Sequence, residues 1–457
     1  MMSMLEVRNP WDGQVVAELA LDDDAAVART LGRAGAAFAR WRRVPLDERI
    51  AQVRIGLAHF LATGDATARE VSLQMGKPLA QARGEMKTFA ARAEWALAAA
   101  TAALAPEVLP EEGGLRRRIE HHPLGIVLDI AAWNYPLLVP VNVLIPALLA
   151  GNVLILKHSE LTPLTGRALA RAFGALDVPD LVQDLVLLPE AAARLTQARE
   201  VAHVAFTGSV AVGRAVYRQA ADGLRGVGLE LGGKDPAYVA ADADLAFAAE
   251  NVVDGACYNA GQSCCAVERV YAHREVVEAL IAGMRPHLEA YVYGDPLDAT
   301  TTLGPLARAA APAFLEQQVD DAVARGAKLL LGGKRDASRP GNHFPPTLLI
   351  DVPNSASVMQ EESFGPIVAV ASVRDDDEAV ARMNDSRFGL TASVWTRDPE
   401  RAERFARDVD AGTIFQNRCD YLDPALPWTG WGESGLGSTL SLHGFRHLTK
   451  RKAIHFR

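Results

Sequence analysis

The chain has 457 residues, 49% of them apolar, and that length exceeds what one hydrophobic core usually holds, so two or three structural units are expected. A formal net charge of −9 argues against counterion-driven binding to nucleic acid or to an anionic membrane. Four cysteines, Cys257, Cys264, Cys265 and Cys419, include no C-x-x-C pair and make no disulfide framework, which fits a reducing, cytoplasmic compartment.

Met1 to Glu6 lacks the basic and apolar segments of an export signal. Residues 22 to 105 are rich in Ala, Arg, Leu and Glu at helical spacing, so helices are expected to precede the sheet. The basic run Arg116 to Arg118 reads as a solvated strand face. From Gly125 short apolar runs alternate with amphipathic stretches. Strands are expected at Gly125 to Ile130, Asn152 to Leu156, Leu185 to Leu188 and His203 to Phe206. The most apolar stretch, Pro136 to Ala150, is cut by Pro140, Asn142 and Pro146, which argues against a membrane span. A helix over Thr162 to Ala175 opens on Thr-Pro, where the hydroxyl can cap free amides and proline suits the first turn. This alternation predicts an α/β fold with a parallel sheet and crossover helices. A second alternation runs from Asp242 to about residue 410 and includes a strand at Thr391 to Trp395. No internal repeat is present.

Two segments carry chemistry. Gly261-Gln262-Ser263-Cys264 offers a thiol, and Glu230-Leu231-Gly232-Gly233-Lys234 offers a carboxylate. A thiol attacks a carbonyl as thiolate, and the acyl-enzyme then needs a base to activate the releasing water. Taken alone, Glu230 reads equally well as a solvated residue beside a Gly-Gly turn. Phe206-Thr207-Gly208-Ser209 follows a strand and opens a helix containing Gly213, so amides and a hydroxyl could face a pyrophosphate there. Lys157 and Glu160 at another strand end are, in isolation, better read as a solvated charge pair.

In chain order, Trp133-Asn134-Tyr135-Pro136, Lys157 to Glu160, Phe206 to Ser209, Glu230 to Lys234, Asn259 to Cys264, Glu362-Ser363-Phe364-Gly365-Pro366 and Pro427 to Gly437 together resemble the aldehyde dehydrogenase superfamily over nearly the whole chain. The resemblance implies a Rossmann-type cofactor domain at 1–104 and 124–231, a catalytic domain at 232–442, and oligomerisation strands at 105–123 and 443–457 that bridge to a partner in a homodimer or homotetramer. A shorter N-terminus than many relatives implies loss of an outer strand or arm. Cys264 falls at the nucleophile, Glu230 at the base that hydrolyses the thioester, and Asn134, with the Cys264 amide, at the holder of the thiohemiacetal oxyanion. Cys257 and Cys265 read as small buried thiols.

The resemblance also implies a nicotinamide cofactor and no metal. Trp133, Lys157, Glu160, Gly208, Ser209, Glu362 and Phe364 match its binding residues. Lys157 and Glu160 fall at the adenosine ribose, where a carboxylate accepts from free hydroxyls but repels a 2′-phosphate, so NAD is favoured with NADP as the alternative. Ala132 replaces the proline usual before the Trp-Asn pair, which loosens a turn without removing a functional group. Relatives that oxidise succinate semialdehyde hold its carboxylate with arginines at positions that here are Asn142 and Tyr258. Neutral medium-chain or aromatic aldehydes are therefore expected, with Leu138, Tyr258, Arg418 and Leu422 along the substrate tunnel. That expectation has Arg418 paired with Asp420 or Asp423; a free Arg418 would favour the alternative, succinate-semialdehyde oxidation. Three rivals remain. A CoA-acylating relative usually lacks the Glu230 base, an inactive scaffold would have lost catalytic residues, and a zinc-dependent dehydrogenase would need clustered ligands, whereas the 11 histidines are scattered.

Overall fold

A computed structural model describes residues 3–174 and 176–457. Runs such as Ile-Val-Leu-Asp-Ile-Ala and Val-Leu-Ile-Leu-Lys-His have no polar face, and a strand can use such a run only where both sides are covered. Accordingly Ile126–Ala131 and Val153–His158 are buried along their whole length. They form the middle of a six-stranded sheet in the order Gly435–Leu436, Gly226–Glu230, Val201–Thr207, Ile126–Ala131, Val153–His158 and Val182–Asp184. All neighbours are parallel except the short Gly435–Leu436 strand. Chain order reverses between Ile126–Ala131 and Val201–Thr207. Crossovers leave to opposite sides at such a point, and a crevice opens outside the carboxyl ends of the two strands.

Two expectations need correction here. The strand expected at Leu185 to Leu188 lies at Val182–Asp184. The later residues stay extended but spend their polar groups differently: the Leu185 amide donates to the Leu156 carbonyl, and Val186 exchanges hydrogen bonds with Asp22. The helix predicted from Thr162 runs Pro163–Gly174, and position 175 lies outside the described residues, as do Met1 and the residue after it. The Thr162 hydroxyl is buried without a hydrogen-bond partner among the described residues. The free Leu164 amide is instead taken by the Gln74 side chain, 3.0 Å away.

Four helices, Asp24–Trp41, Leu46–Ala62, Gly64–Met75 and Leu79–Ala103, precede this sheet as their spacing predicts. Asp23 caps the first by accepting from the Ala26 amide at 2.7 Å. An unpredicted hairpin, Met4–Arg8 with Val15–Ala20, comes before them; only one residue in each strand is fully buried, so neither gives a strong apolar alternation. The second sheet has seven strands in the order Lys328–Leu331, Thr347–Ile350, Ile367–Val373, Val267–His273, Asp235–Val239, Thr391–Trp395 and Thr413–Gln416. Separate apolar clusters cover it, one around Leu315, Met359 and Phe405, the other around Val252, Leu280 and Trp395. A third, antiparallel sheet joins Thr449–Phe456, Arg116–Pro123 and Glu107–Val108. Arg117 and Arg118 there pair with Glu112 and Glu120. No helix among the described residues is long and apolar enough to cross a membrane.

Candidate active site

The crevice at the reversal point continues into a cavity of about 1210 Å³ between the two large sheets. That exceeds an ordinary small-molecule pocket and suits two ligands side by side. Every residue singled out from the sequence for catalysis, cofactor or substrate borders it.

Cys264 reaches the cavity on a strained turn. Asn259, Ala260 and Gly261 are all left-handed, with φ of 53°, 55° and 70°. An alanine in that region is held there at a cost of about 1 kcal/mol or more, so neighbouring contacts must fix it. Gln262 supplies several: its Nε2 donates to the Asn259 carbonyl at 3.1 Å and its Oε1 accepts from the Ala307 amide at 2.9 Å. Gly261 is obligatory, because a Cβ would sit 2.3 Å from the Gly365 backbone. Cys264 is half-buried, whereas Cys257 and Cys265 are buried. Cys265 donates to Asp420 at 2.9 Å, and its ionisation is held well above the ordinary thiol range by the adjoining Cys264 thiol, by burial and by the Asp420 charge. Cys265 therefore stays a thiol.

Asn134 leaves the carboxyl end of Ile126–Ala131, and its Nδ2 donates to the Gln262 carbonyl at 3.2 Å, which aims the amide along the Cys264 turn. One N–H remains for a ligand. Among the described residues no acceptor takes the Cys264 amide. A support missed in the sequence fixes this corner. Lys77 and Glu85 form a buried ion pair; Lys77 Nζ donates to the Asn134 carbonyl at 2.8 Å, and Glu85 caps the helix Leu138–Leu149 by accepting from the Leu137 amide at 2.8 Å. Neither residue belongs to a recognisable motif.

Glu230 ends the strand Gly226–Glu230, next to the reversal point. The solvated reading fails: its carboxylate accepts from the Thr439 and Thr207 hydroxyls, the latter at 3.4 Å. Burial raises its pKa, opposed by Thr439, Arg92 and Thr207. A carboxylate so placed is a better proton acceptor than an exposed one.

The opposite wall carries Glu362 and Phe364. Phe364 has φ of 54°, an outlier for a bulky residue. Glu268 holds it, accepting from the Ser363 amide at 2.8 Å and the Phe364 amide at 2.9 Å, while Lys234 pairs with Glu268 and donates to the Ser363 hydroxyl at 2.9 Å. The Phe364 ring meets Trp133 edge-on at 5.4 Å. Glu362 is pushed up to about 8 by burial and by the Glu268 charge, and accepts from the Gly233 amide at 3.1 Å. A Cβ on Gly232 would stand 2.6 Å from that carboxylate, so a larger residue there would push the Glu362 side chain away. Lys157 and Glu160 are 3.3 Å apart; burial raises the Glu160 pKa, but the Lys157 charge and hydrogen bonds outweigh it and leave the group lowered, hence ionised. At the helix Val210–Ala221, the Gly208 amide is spent on the Glu230 carbonyl at 3.0 Å, so it cannot face a pyrophosphate. The Ser209 hydroxyl caps nothing and, with the first-turn amides, is the group left to meet an anion.

At the remaining end lie Leu138, Tyr258, Arg418 and Leu422. Arg418 does not pair with Asp420 or Asp423. Asp420 is turned inward, accepting from Ser263 at 3.0 Å and from Cys265, while the Arg418 guanidinium lies 3.4 Å over the Tyr421 ring, without a carboxylate partner among the described residues. Its charge is therefore left to the cavity mouth.

The profile of the Aldehyde dehydrogenase family matches residues 2–454. A Mycobacterium ulcerans protein named succinate-semialdehyde dehydrogenase [NADP(+)] 1 is 35% identical over 450 residues, covering 98% of both chains. A Deinococcus radiodurans protein named succinate-semialdehyde dehydrogenase [NADP(+)] is 34% identical over 452 residues, 98% of this chain and 93% of the other. The solved lactaldehyde dehydrogenase of Escherichia coli superposes with a TM-score of 0.95 at 29% identity, covering 99% of this chain and 96% of that one.

Proposed function

Because this chain belongs to the aldehyde dehydrogenase family, we propose that it oxidises a carboxylate-bearing aldehyde of the succinate semialdehyde kind to the acid, with NAD as hydride acceptor. The substrate reading is carried by Arg418, an arginine without a carboxylate partner among the described residues that borders the same cavity as Cys264 and Glu230. The names of the two curated relatives support it. It replaces the neutral aldehydes that an Arg418 neutralised by Asp420 or Asp423 would favour.

In this reading Cys264 adds its sulfur to the aldehyde carbon, and the free Asn134 N–H with the Cys264 amide holds the oxyanion, each such donor being worth about 3 kcal/mol. Nicotinamide supplies the hydride acceptor. Phe364 and Trp133 fix the space for its ring, Glu362 takes its ribose hydroxyls, and the Ser209 hydroxyl with the first-turn amides takes phosphate. Glu230 then removes a proton from water, whose oxygen attacks the thioester; the carboxylate product leaves and Cys264 recovers its thiolate.

Residues 1–104 and 124–231, with five of the six strands of the first sheet, serve as the cofactor domain, and 232–442 as the catalytic domain, which lends that sheet its Gly435–Leu436 strand. Residues 105–123 and 443–457 bridge to a second copy in a homodimer or homotetramer, since Thr449–Phe456 is an edge strand that would otherwise invite uncontrolled pairing. A cytoplasmic location suits the free thiols.

Comparing kcat/KM for succinate semialdehyde with that for hexanal and benzaldehyde tests the substrate. The acid should lead by about tenfold or more, the worth of one charge-assisted contact. A lead for hexanal would restore the neutral reading, which the apolar Leu138, Tyr258 and Leu422 favour.

Glu160 supports NAD, although both relatives carry NADP(+) in their names. Its ionised carboxylate beside Lys157 accepts from ribose hydroxyls and repels a 2′-phosphate. Glu160→Ser should raise kcat/KM with NADP relative to NAD by about tenfold. A wild-type enzyme that already prefers NADP would refute the ribose argument.

A further inference from the structure

A buried cation with no carboxylate in contact among the described residues borders the cavity. Arg92, on the helix Leu79–Ala103, is 7% exposed and lines the same space as Cys264, Glu230, Asn142 and Tyr258. Its Nη1 donates to the Asn142 Oδ1 at 3.1 Å and reaches the Leu138 carbonyl at 3.5 Å, both neutral acceptors. Its Nε is buried with no acceptor, and no Asp or Glu oxygen lies within 4.0 Å among the described residues. The titratable groups that reach it are Glu230, Cys265, Glu85 and Tyr135; Cys265 and Tyr135 stay neutral and Glu85 is already paired to Lys77. A guanidinium removed from water in this way is normally matched by an anion, and its planar fork fits a carboxylate. Folding alone gives no reason to leave it unmatched, since neighbouring Leu138 and Tyr258 are uncharged.

We propose that Arg92 is a specificity-determining residue that binds the distal carboxylate of the aldehyde. Asn142 orients the guanidinium through Nη1, and Nη2, which among the described residues neither bonds to the protein nor is buried, is left for the substrate. The idea rests on the acidic-aldehyde reading and divides its labour: Arg418, exposed at the rim, draws the anion in, and Arg92 pairs with it inside. A neutral Asn142 thus serves a cation delivered from another helix. Short acids should be preferred over long ones, because the charge lies beside the catalytic residues rather than at the mouth.

The test measures kcat and KM for succinate semialdehyde and for hexanal in wild-type, Arg92→Gln and Arg92→Lys enzymes. In Arg92→Gln the ratio of kcat/KM for the acid to that for hexanal should fall about 10- to 100-fold, through KM, as expected for loss of a charge-assisted contact. Arg92→Lys keeps a cation but loses the fork, so its ratio should fall less, by about three- to tenfold; it decides the matter if the glutamine variant fails to fold. A wild-type enzyme that prefers hexanal would overturn the acidic-aldehyde reading and this one with it. A wild-type preference for the acid that survives both substitutions would overturn only Arg92, leaving Arg418 as the carboxylate's partner. Equal losses on both aldehydes, with a shifted midpoint in the pH profile of kcat for hexanal, would instead make Arg92 the counterion of Glu230.

Discussion

Cys264→Ala should abolish aldehyde oxidation, lowering kcat by at least about 10³-fold, whereas Cys265→Ala should stay within about fivefold of wild type. The two thiols are neighbours in sequence but not in environment. Cys264 is half-buried and borders the cavity, at the end of a turn braced by Asn259 and Gln262. Cys265 points its sulfur at Asp420, where the Cys264 thiol, burial and a nearby negative charge all oppose the thiolate that attack requires. Removing Cys265 leaves Asp420 with its 3.0 Å hydrogen bond from Ser263, so the turn keeps a tie to the loop that carries Arg418. Reduced-cofactor formation followed at 340 nm is the direct readout, with a circular dichroism spectrum to show that each variant folds. Comparable losses in the two variants would mean that the turn, not one sulfur, is what the substitution damages.

What the sequence made legible, and what it did not, follows from the range of the interactions involved. Continuous apolar runs such as Val153–His158 announce strands covered on both faces, because periodicity is a local property. Cys264 and Glu230 were legible as candidates because each sits in a short motif with a turn beside it. The supports around them were not. Lys77 and Glu85 lie far from Asn134 in sequence, and their pairing becomes visible only when the helix Leu79–Ala103 packs against Leu138–Leu149. Thr439 touches Glu230 across a separation of 209 residues, and its one sequence signal is a place just beyond the Pro427 to Gly437 motif. Thr162 misled in the opposite way: its local pattern is that of a cap, but Gln74 from another helix reaches the amide first. Arg418 misled through charge arithmetic, since Asp420 is close in sequence yet faces inward toward Ser263 and Cys265. A chain position gives neither the direction of a side chain nor the competing donor that claims its partner.

Glu230→Gln should separate the two halves of the reaction. Carbon–sulfur bond formation and hydride loss need Cys264 and the oxyanion donors, so a pre-steady-state burst of reduced cofactor should persist at close to one equivalent per site. Hydrolysis of the thioester needs a proton acceptor for water, and an amide cannot serve, so steady-state turnover should fall about 10²- to 10⁴-fold. The substitution is nearly isosteric. Thr439 can still donate to the amide oxygen, and the Thr207 hydroxyl can turn to accept from the amide nitrogen, so the fold is not expected to suffer. A pH signature goes with it. Burial raises the Glu230 pKa against the opposing effects of Thr439, Arg92 and Thr207, and the base works only when ionised. Wild-type kcat should therefore climb with pH through that raised pKa while hydrolysis limits turnover, and Glu230→Gln should lose the climb. Unchanged turnover in the variant would remove Glu230 from the hydrolytic step, and loss of the burst together with turnover would place it in the activation of Cys264 instead.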